Sequence, residues 1–247
     1  MSQTTNDMKQ RKLNRFLYFS VVISFIVPVV FLILRMIFGN VPSNEAGYHS
    51  NLDYILMIIQ CLLGLIVINL PTFLARKLRF ELPMTLYGMY IVFLYCAIFL
   101  GEVRSFYYLI PYWDSILHAF SSLMLGFLGY MLITILVQDE HIVLHLSPVF
   151  TAIFAFGFAF SIGAAWEIYE FLVDGFFSTN MQKYMSVSGE LLLGHAALFD
   201  TMKDLMIDAG GALTASIIGN ISIKHDRKWI LMKLQKSNSK NNQEEPK

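Results

Sequence analysis

Long apolar runs alternate with short polar segments along the whole chain, and the apolar runs are long enough to form membrane-spanning helices. A helix rises about 1.5 Å per residue, so about 20 apolar residues cross a hydrocarbon core about 30 Å thick. The runs that meet this length lie near residues 16–38, 54–75, 83–101, 114–137, 148–173 and 201–223. The pattern predicts an all-α, polytopic membrane helix bundle of about six spans.

The sixth run differs from the others because carboxylates occupy its first turns. Asp200, Asp204 and Asp208 recur every four residues and therefore share one helical face. An aspartate at the centre of a span costs about 2.5–3.5 kcal/mol on insertion scales. These side chains must face other helices or water, and their retention at this depth indicates a functional site.

The basic residues predict the orientation of the bundle. Lys and Arg gather in three segments that six spans place on one side of the membrane, residues 9–15, 76–79 and 224–236. By the positive-inside rule this side is the cytoplasm, and both termini are cytoplasmic. The predicted organisation is a cytoplasmic N-terminal segment, a membrane domain and a basic, partly disordered cytoplasmic tail, at residues 1–15, 16–223 and 224–247.

Composition supports this assignment and excludes other classes of protein. Of the 247 residues 56% are hydrophobic and 15% are charged, which is too apolar for an ordinary soluble domain. The net charge is zero and the basic residues flank spans, which argues against a nucleic-acid partner. The expected environment is the lipid bilayer.

Ionisable residues on the last three spans fall in the outer half of the predicted membrane domain. The helical rise gives three levels: Asp114, Asp174 and Asp200 at the boundary, His118, Glu170 and Asp204 about 6 Å inward, and Glu167 and Asp208 about 10–12 Å inward. We therefore expect Asp204 to meet His118 and Glu170, and Asp208 to meet Glu167. Small residues continue these faces and predict close helix packing: Ser121, Ser122, Gly126, Gly163, Ala164, Gly211, Ala215 and Gly219.

Several carboxylates at one depth require a divalent cation, shared protons or basic side chains to balance their charge. The candidate metal ligands are His118, Glu167, Glu170, Asp204 and Asp208, with Asp114, Asp200 and His195 as further candidates. One histidine among carboxylates suits Mg²⁺, Mn²⁺ or Ca²⁺, and a second nitrogen ligand such as His195 would suit Zn²⁺. The candidate basic partners are Arg35, Arg104 and Lys203.

Ordinary structural roles also account for part of this set. Asp114 and Asp200 can cap the helices that they begin, and Asp174 can end one. Asp204 and Asp208 lie beyond the first turn, where capping does not act. His141 and His145 share a helical face at the cytoplasmic side, but no deep carboxylate lies beside them in the sequence.

Three motifs in order carry a resemblance: Trp113-Asp114-x-x-x-His118, Trp166-Glu167-x-x-Glu170-Phe171 and Asp200-x-x-Lys203-Asp204-x-x-x-Asp208-x-x-Gly211-Ala212. Over residues 80–222 the chain resembles the YjdF-like bacterial inner-membrane proteins, and it is more distantly similar to the VanZ-like membrane proteins. The resemblance implies a multi-pass protein of the bacterial cytoplasmic membrane with a shared polar core, and it implies no activity. The chain departs from the pattern before the sixth span, where Glu190 or His195 are possible substitute ligands.

Three functions are compatible with the sequence. In the first, a cation held by the cluster acts on a lipid or lipid-linked envelope substrate, with His118, Glu167, Asp204 and Asp208 as the reactive set. In the second, the same carboxylates form part of an ion- or proton-coupled transporter or channel. In the third, the charges pair with basic side chains and only specify helix packing. The sequence does not decide whether the protein is an enzyme.

Overall fold

The computed structural model describes residues 2–38, 51–77, 82–138, 146–186 and 189–241, with side chains for 8–38, 54–77, 82–133, 146–186 and 189–222. Helices make up most of the described residues, and no strand occurs among them. The all-α prediction is therefore confirmed. The predicted His141 and His145 pair lies outside the described residues.

Eight α-helices and one π-helix follow one another along the described chain. They are α1 (Ser2–Phe38), α2 (Asn51–Val67), α3 (Leu70–Lys77), α4 (Met84–Leu94), the π-helix (Tyr95–Val103), α5 (Phe106–Leu109), α6 (Trp113–Gln138), α7 (Pro148–Phe177) and α8 (His195–Asn241). Helix α8 begins six residues before the predicted sixth span and continues into the predicted tail. Helix α1 likewise begins within the predicted N-terminal segment.

Among the residues that the structure describes, six helical stretches are long and apolar enough to cross a membrane, which confirms the predicted number of spans. They are Met8–Phe38, Tyr54–Lys77, Met84–Val103, Trp113–Ile133, Pro148–Phe177 and His195–Ser222. The cytoplasmic location of the termini remains a prediction from the charge pattern.

The chain divides into two compact units, Met1–Leu117 and His118–Lys247. In the first unit, α1 packs against α2 and α4 around a core of Val21, Phe25, Cys61, Ile68, Ile91 and Leu94. The Asn14 side chain donates a hydrogen bond to the Met84 carbonyl at 2.7 Å. This polar contact joins α1 to the first residue of α4.

The third span changes from an α-helix to a π-helix at Tyr95. Trp113 Nε1 donates to the Cys96 carbonyl at 3.3 Å, and the Glu102 side chain is hydrogen-bonded to Gln60 on α2. Arg35 lies over the Tyr54 ring, 5.1 Å from its centroid. Trp113, Glu102 and Arg35 therefore have partners within this unit.

The second unit is built on close contacts at glycines. A side-chain carbon at Gly126 would clash with Ala215, one at Gly211 with Ser122, and one at Gly219 with Tyr130. Since the members of each pair are 89 positions apart, α6 and α8 run parallel in a constant register. The predicted close packing through small residues is confirmed for these helices.

Local sequence explains why α7 begins and ends where it does. The Ser147 hydroxyl accepts from the Phe150 amide at 3.1 Å, and Pro148 occupies the first helical position. At the other end Ser178 adopts a left-handed conformation, and its amide donates to the Asp174 carbonyl. The helix thus presents one continuous face to the unit interior.

Candidate functional site

The buried face of α7 changes from small residues to carboxylates along its length. Its members are Thr151, Ala155, Ala159, Gly163, Glu167, Glu170 and Asp174. Spacings of three and four residues keep them on one stripe. The small residues allow the neighbouring helices to approach, and the carboxylates follow where the stripe nears the helix end.

Three helices of the second unit contribute ionisable side chains to one buried cluster. His118 on α6 is 6% exposed, Glu167 on α7 is 4% exposed, and Asp204 and Asp208 on α8 are 2% and 1% exposed. Glu170, on the same face of α7, is also buried. Isolated charges are strongly destabilised at such burial, so these groups must balance one another or hold a cation.

His118 lies at the centre of the cluster. Its Nδ1 is 3.1 Å from Asp208 Oδ2, and its Nε2 is 3.8 Å from Glu167 Oε1. The two ring nitrogens therefore face carboxylates from two different helices. This arrangement fixes the ring and allows one nitrogen to be oriented by a carboxylate while the other acts on something else.

Asp204 lies close to the same histidine. A ring nitrogen of His118 and a carboxylate oxygen of Asp204 are within 4.8 Å of each other. Lys203 Nζ is 3.6 Å from Asp204 Oδ1. Asp114 stands one turn before His118, in the first turn of α6.

Asp208 packs against Gly163 on α7 and contacts His118 on α6. A side-chain carbon at Gly163 would lie 2.8 Å from Asp208 Cγ, so the carboxylate packs directly against the α7 backbone. Oδ2 contacts His118, but Oδ1 has no hydrogen-bond partner among the described residues. A buried carboxylate oxygen in this state is unfavourable unless a proton or a cation joins it.

Asp200 has a different environment from the other two aspartates. Lys203 Nζ is 2.7 Å from its Oδ1, and Lys183 Nζ is 3.0 Å from its Oδ2. The expectation that Asp200 caps the sixth span is wrong, since α8 begins five residues earlier at His195. Two ammonium groups already compete for this carboxylate, so it is a weak candidate for a metal ligand.

Asp174 accepts hydrogen bonds that fix the loop between α7 and α8. It accepts hydrogen bonds from the Thr179 hydroxyl and from the amides of Met181 and Gln182, the last two at 2.8 and 2.9 Å. The Gln182 side chain then donates to Thr201 Oγ1 at 2.8 Å. The loop is thereby tied to both helices at the end of the unit nearest the cluster.

The predicted levels of the carboxylates need one correction. The prediction placed His118 level with Asp204, and ligand atoms of these two residues do lie within 4.8 Å, but the ring is also in direct contact with Asp208, one turn further along. The prediction assumed that both helices begin at their first aspartates, whereas α8 begins at His195. Asp208 therefore pairs with His118, and Glu167 meets the other side of the ring.

Other predicted residues lie apart from this cluster. His195 and Glu190 are both exposed, and His195 is the first residue of α8, about 13 Å along the helix from Asp204. Arg35 contacts Tyr54, and Arg104 is exposed at the end of the π-helix, both in the first unit. Lys203 is the one predicted basic partner that contacts these aspartates in the described part of the chain.

Sequence reasoning missed two residues of the joining loop, Lys183 and Gln182. Both act through contacts with residues distant in sequence, and no periodic pattern marks them. The only signal was that Lys183 is the single Lys or Arg between the fifth and sixth predicted spans, at residues 174–200.

The chain matches a protein family over residues 23–225, and the family is described as Predicted membrane protein (DUF2238). The chain belongs to this family. The matched segment contains every residue of the buried cluster. No curated protein and no solved structure matches the chain significantly.

As a member of the DUF2238 family with six candidate spans, the chain is an integral, multi-pass membrane protein embedded in a lipid bilayer. The family description names no activity.

Proposed function

We propose that the cluster binds one divalent cation, through His118 Nε2 and the carboxylates of Glu167 and Asp204, and acts with it on a lipid or lipid-linked envelope substrate. The observation that supports this most strongly is the arrangement around His118, whose two ring nitrogens face carboxylates from two other helices. A bound cation there would polarise a phosphoryl or carbonyl oxygen or activate water.

Two pairwise distances from His118 are compatible with a shared metal. Donor atoms that lie about 2.0–2.2 Å from one ion are at most about 4.4 Å apart. His118 Nε2 and Glu167 Oε1 are 3.8 Å apart, within this limit. A ligand atom of His118 and one of Asp204 are within 4.8 Å, so a small side-chain rotation brings them into range.

Asp208 has a supporting role in this proposal. Its contact with Nδ1 would hold the His118 ring so that Nε2 points at the cation, as carboxylates do behind many metal-bound histidines. Glu170 and Asp114 flank the set and remain possible ligands. Asp200 and His195 are not among the proposed ligands. The Asp200 carboxylate is paired with Lys183 and Lys203, and His195 is exposed.

The donor set favours a hard or intermediate ion. One imidazole nitrogen with two or more carboxylates suits Mn²⁺ or Mg²⁺ better than Zn²⁺, which usually takes more nitrogen or sulfur ligands. Charge also favours binding of a cation, since this unit buries the carboxylates of Glu167, Glu170, Asp204 and Asp208, and His118 and Lys203 are basic side chains in contact with members of this set. A cation must displace protons from these groups when it binds, so the affinity of the site for the metal would rise with pH.

The membrane location also belongs to this proposal. The resemblance to YjdF-like and VanZ-like proteins favours the bacterial cytoplasmic membrane, and the charge pattern places the cluster in its outer half. A substrate entering there would come from the outer leaflet or the envelope.

Metal analysis of the purified protein in native lipid tests the proposal. We expect about one Mn²⁺ or Mg²⁺ per chain in wild type, and loss of stoichiometric metal in His118→Ala, Glu167→Gln and Asp204→Asn. Glu190→Gln is the matched control, because Glu190 is an exposed carboxylate of the same unit. Absence of metal from wild type after titration with Mn²⁺, Mg²⁺ and Zn²⁺ would refute the cation site.

A transport function is the second candidate, since a histidine between two carboxylates can also relay protons. The packing beyond His118 argues against a continuous path. Ser122 is in close contact with Gly211, and Gly126 with Ala215, so no room for water is evident between α6 and α8 at these levels. Proton flux in proteoliposomes that lack bound metal, abolished by His118→Ala, would favour transport.

A further inference from the structure

Basic side chains gather at one end of the first unit, and the proposed metal site uses none of them. They lie near the start of α1 and on the last turn of α3, and all of them are exposed. We call this group the basic band, and its members are Lys9, Arg11, Lys12, Arg15, Arg76 and Lys77. A surface of one charge sign attracts partners of the opposite sign.

The two helices bring these residues to about the same level. Helix α3 belongs to the second span, Tyr54–Lys77, and this span runs antiparallel to α1. Three contacts show the opposed direction: Tyr18 with Asn69, Phe25 with Gly64, and Arg35 with Tyr54. Arg11 lies seven residues from Tyr18, toward the start of α1. Arg76 lies seven residues from Asn69, toward the end of α3, so both arginines are about 10 Å past the same contact.

The length of α1 places the basic band beyond the hydrocarbon core of the membrane. The 37 residues of α1 extend over about 55 Å, whereas the core is about 30 Å thick. Arg15 and Arg35 are 20 residues apart on this helix, or about 30 Å, which matches the two boundaries of the core. Lys12 and Arg11 then lie about 4–6 Å further out, at the depth of the lipid headgroups.

The sequence around the basic band does not neutralise its charge. The two flanks that carry it, residues 1–15 and 69–83, contain seven Lys or Arg residues and two acidic residues, Asp7 and Glu81, which gives a net charge of +5. Within the described part of the chain, no ion pair joins the band to an acidic side chain. Arg15 instead lies over the Phe19 ring, 5.9 Å from its centroid. The band therefore keeps an excess of positive charge for an anionic partner.

We infer that the basic band binds the headgroups of anionic phospholipids in the adjacent leaflet of the membrane. The charge pattern predicts that this is the cytoplasmic leaflet. Clusters of four to eight Lys or Arg residues directly beside a membrane span are the usual recognition element for such lipids. The inference concerns the first unit alone and does not rest on the proposed metal site.

Exposed apolar side chains beside the cations indicate that the anionic partner is a lipid. Phe16 follows Arg15 directly and is 68% exposed, and Phe73, one turn before Arg76, is 58% exposed. An acidic peptide or a nucleic acid would leave these rings in water. A phospholipid covers them with its acyl chains while its phosphate group meets the guanidinium and ammonium groups.

Lipid binding by the purified full-length protein in a neutral detergent, measured by native mass spectrometry, tests the inference. The probe is short-chain phosphatidylglycerol, and the comparison ligands are phosphatidylcholine and free glycerol phosphate. We expect wild type to bind phosphatidylglycerol at least about tenfold more tightly than phosphatidylcholine. Arg11→Gln and Arg76→Gln should each weaken this binding about fivefold, and the double variant about 25-fold.

Arg104→Gln is the matched control, because it removes the same charge from the opposite end of the same unit. Asn14 contacts Met84 at the level of the basic band, and Arg104 follows Met84 by 20 residues of the third span. Arg104 is exposed, and its variant should bind phosphatidylglycerol as wild type. Arg11→Lys should also bind as wild type, since it keeps the charge.

Four results would overturn the inference. Equal binding of the two phospholipids by wild type would exclude recognition of the headgroup charge. A loss in Arg104→Gln as large as that in Arg11→Gln would show that only the total charge matters. Unchanged binding by Arg76→Gln would exclude a band built from both helices. Free glycerol phosphate binding as tightly as phosphatidylglycerol would exclude the lipid as the ligand.

Discussion

Gly163 offers a direct test of how the cluster is held, because it is the point where α7 lets the Asp208 carboxylate approach. In Gly163→Ala the new carbon would lie 2.8 Å from Asp208 Cγ and 3.1 Å from Asp208 Cβ. Ordinary contacts between such atoms begin near 3.4 Å. The carboxylate must therefore move by about 0.6 Å or more, or the helices must separate.

The free energy of this change can be estimated against a matched substitution. Overpacking a buried position typically destabilises by about 1–3 kcal/mol. Alanine also favours a helix over glycine by about 1 kcal/mol, which partly hides the effect. Gly157→Ala on the same helix gains the same propensity without a clash, since nothing lies within 4 Å of its new carbon. The difference between the two variants isolates the contact with Asp208.

Thermal unfolding in detergent measures that difference. We expect Gly163→Ala to unfold about 2–12 °C below Gly157→Ala, from 1–3 kcal/mol in a chain of this size. The shift should also disturb the 3.1 Å contact between Asp208 and His118, and metal affinity should fall about 10- to 100-fold, as for other residues that orient a ligand. Equal stability and equal metal affinity in the two variants would refute the proposed role of this glycine.

Two further predictions concern the helix contacts and the loop. Gly211→Ala should lower the unfolding temperature because its new carbon meets Ser122 and the Ala119 carbonyl, whereas Gly210→Ala, with open space, should not; similar values for the pair would contradict the packing argument. Asp174→Asn removes the charged acceptor of the Met181 and Gln182 amides, so hydrogen exchange at these amides should rise about tenfold or more, and unchanged exchange would show that the loop is held otherwise.

The membrane helices could be predicted from the sequence because the hydrocarbon core imposes one length and one polarity on each span. The same constraint made the buried charges conspicuous. His118, Glu167, Asp204 and Asp208 stand out in apolar surroundings, and the structure brings them together. In a soluble protein four such residues would not be distinguishable from surface charges by composition alone.

The sequence did not predict which of these residues contact one another as precisely as it predicted the residues themselves. A difference of one helical turn decides which aspartate makes the direct 3.1 Å contact with His118, and hydropathy does not define a helix start to within one turn. The actual register depends on which glycines and alanines face each other, at Gly126 with Ala215 and at Gly211 with Ser122. The role of Lys183 was hidden for another reason, since loop contacts follow no period.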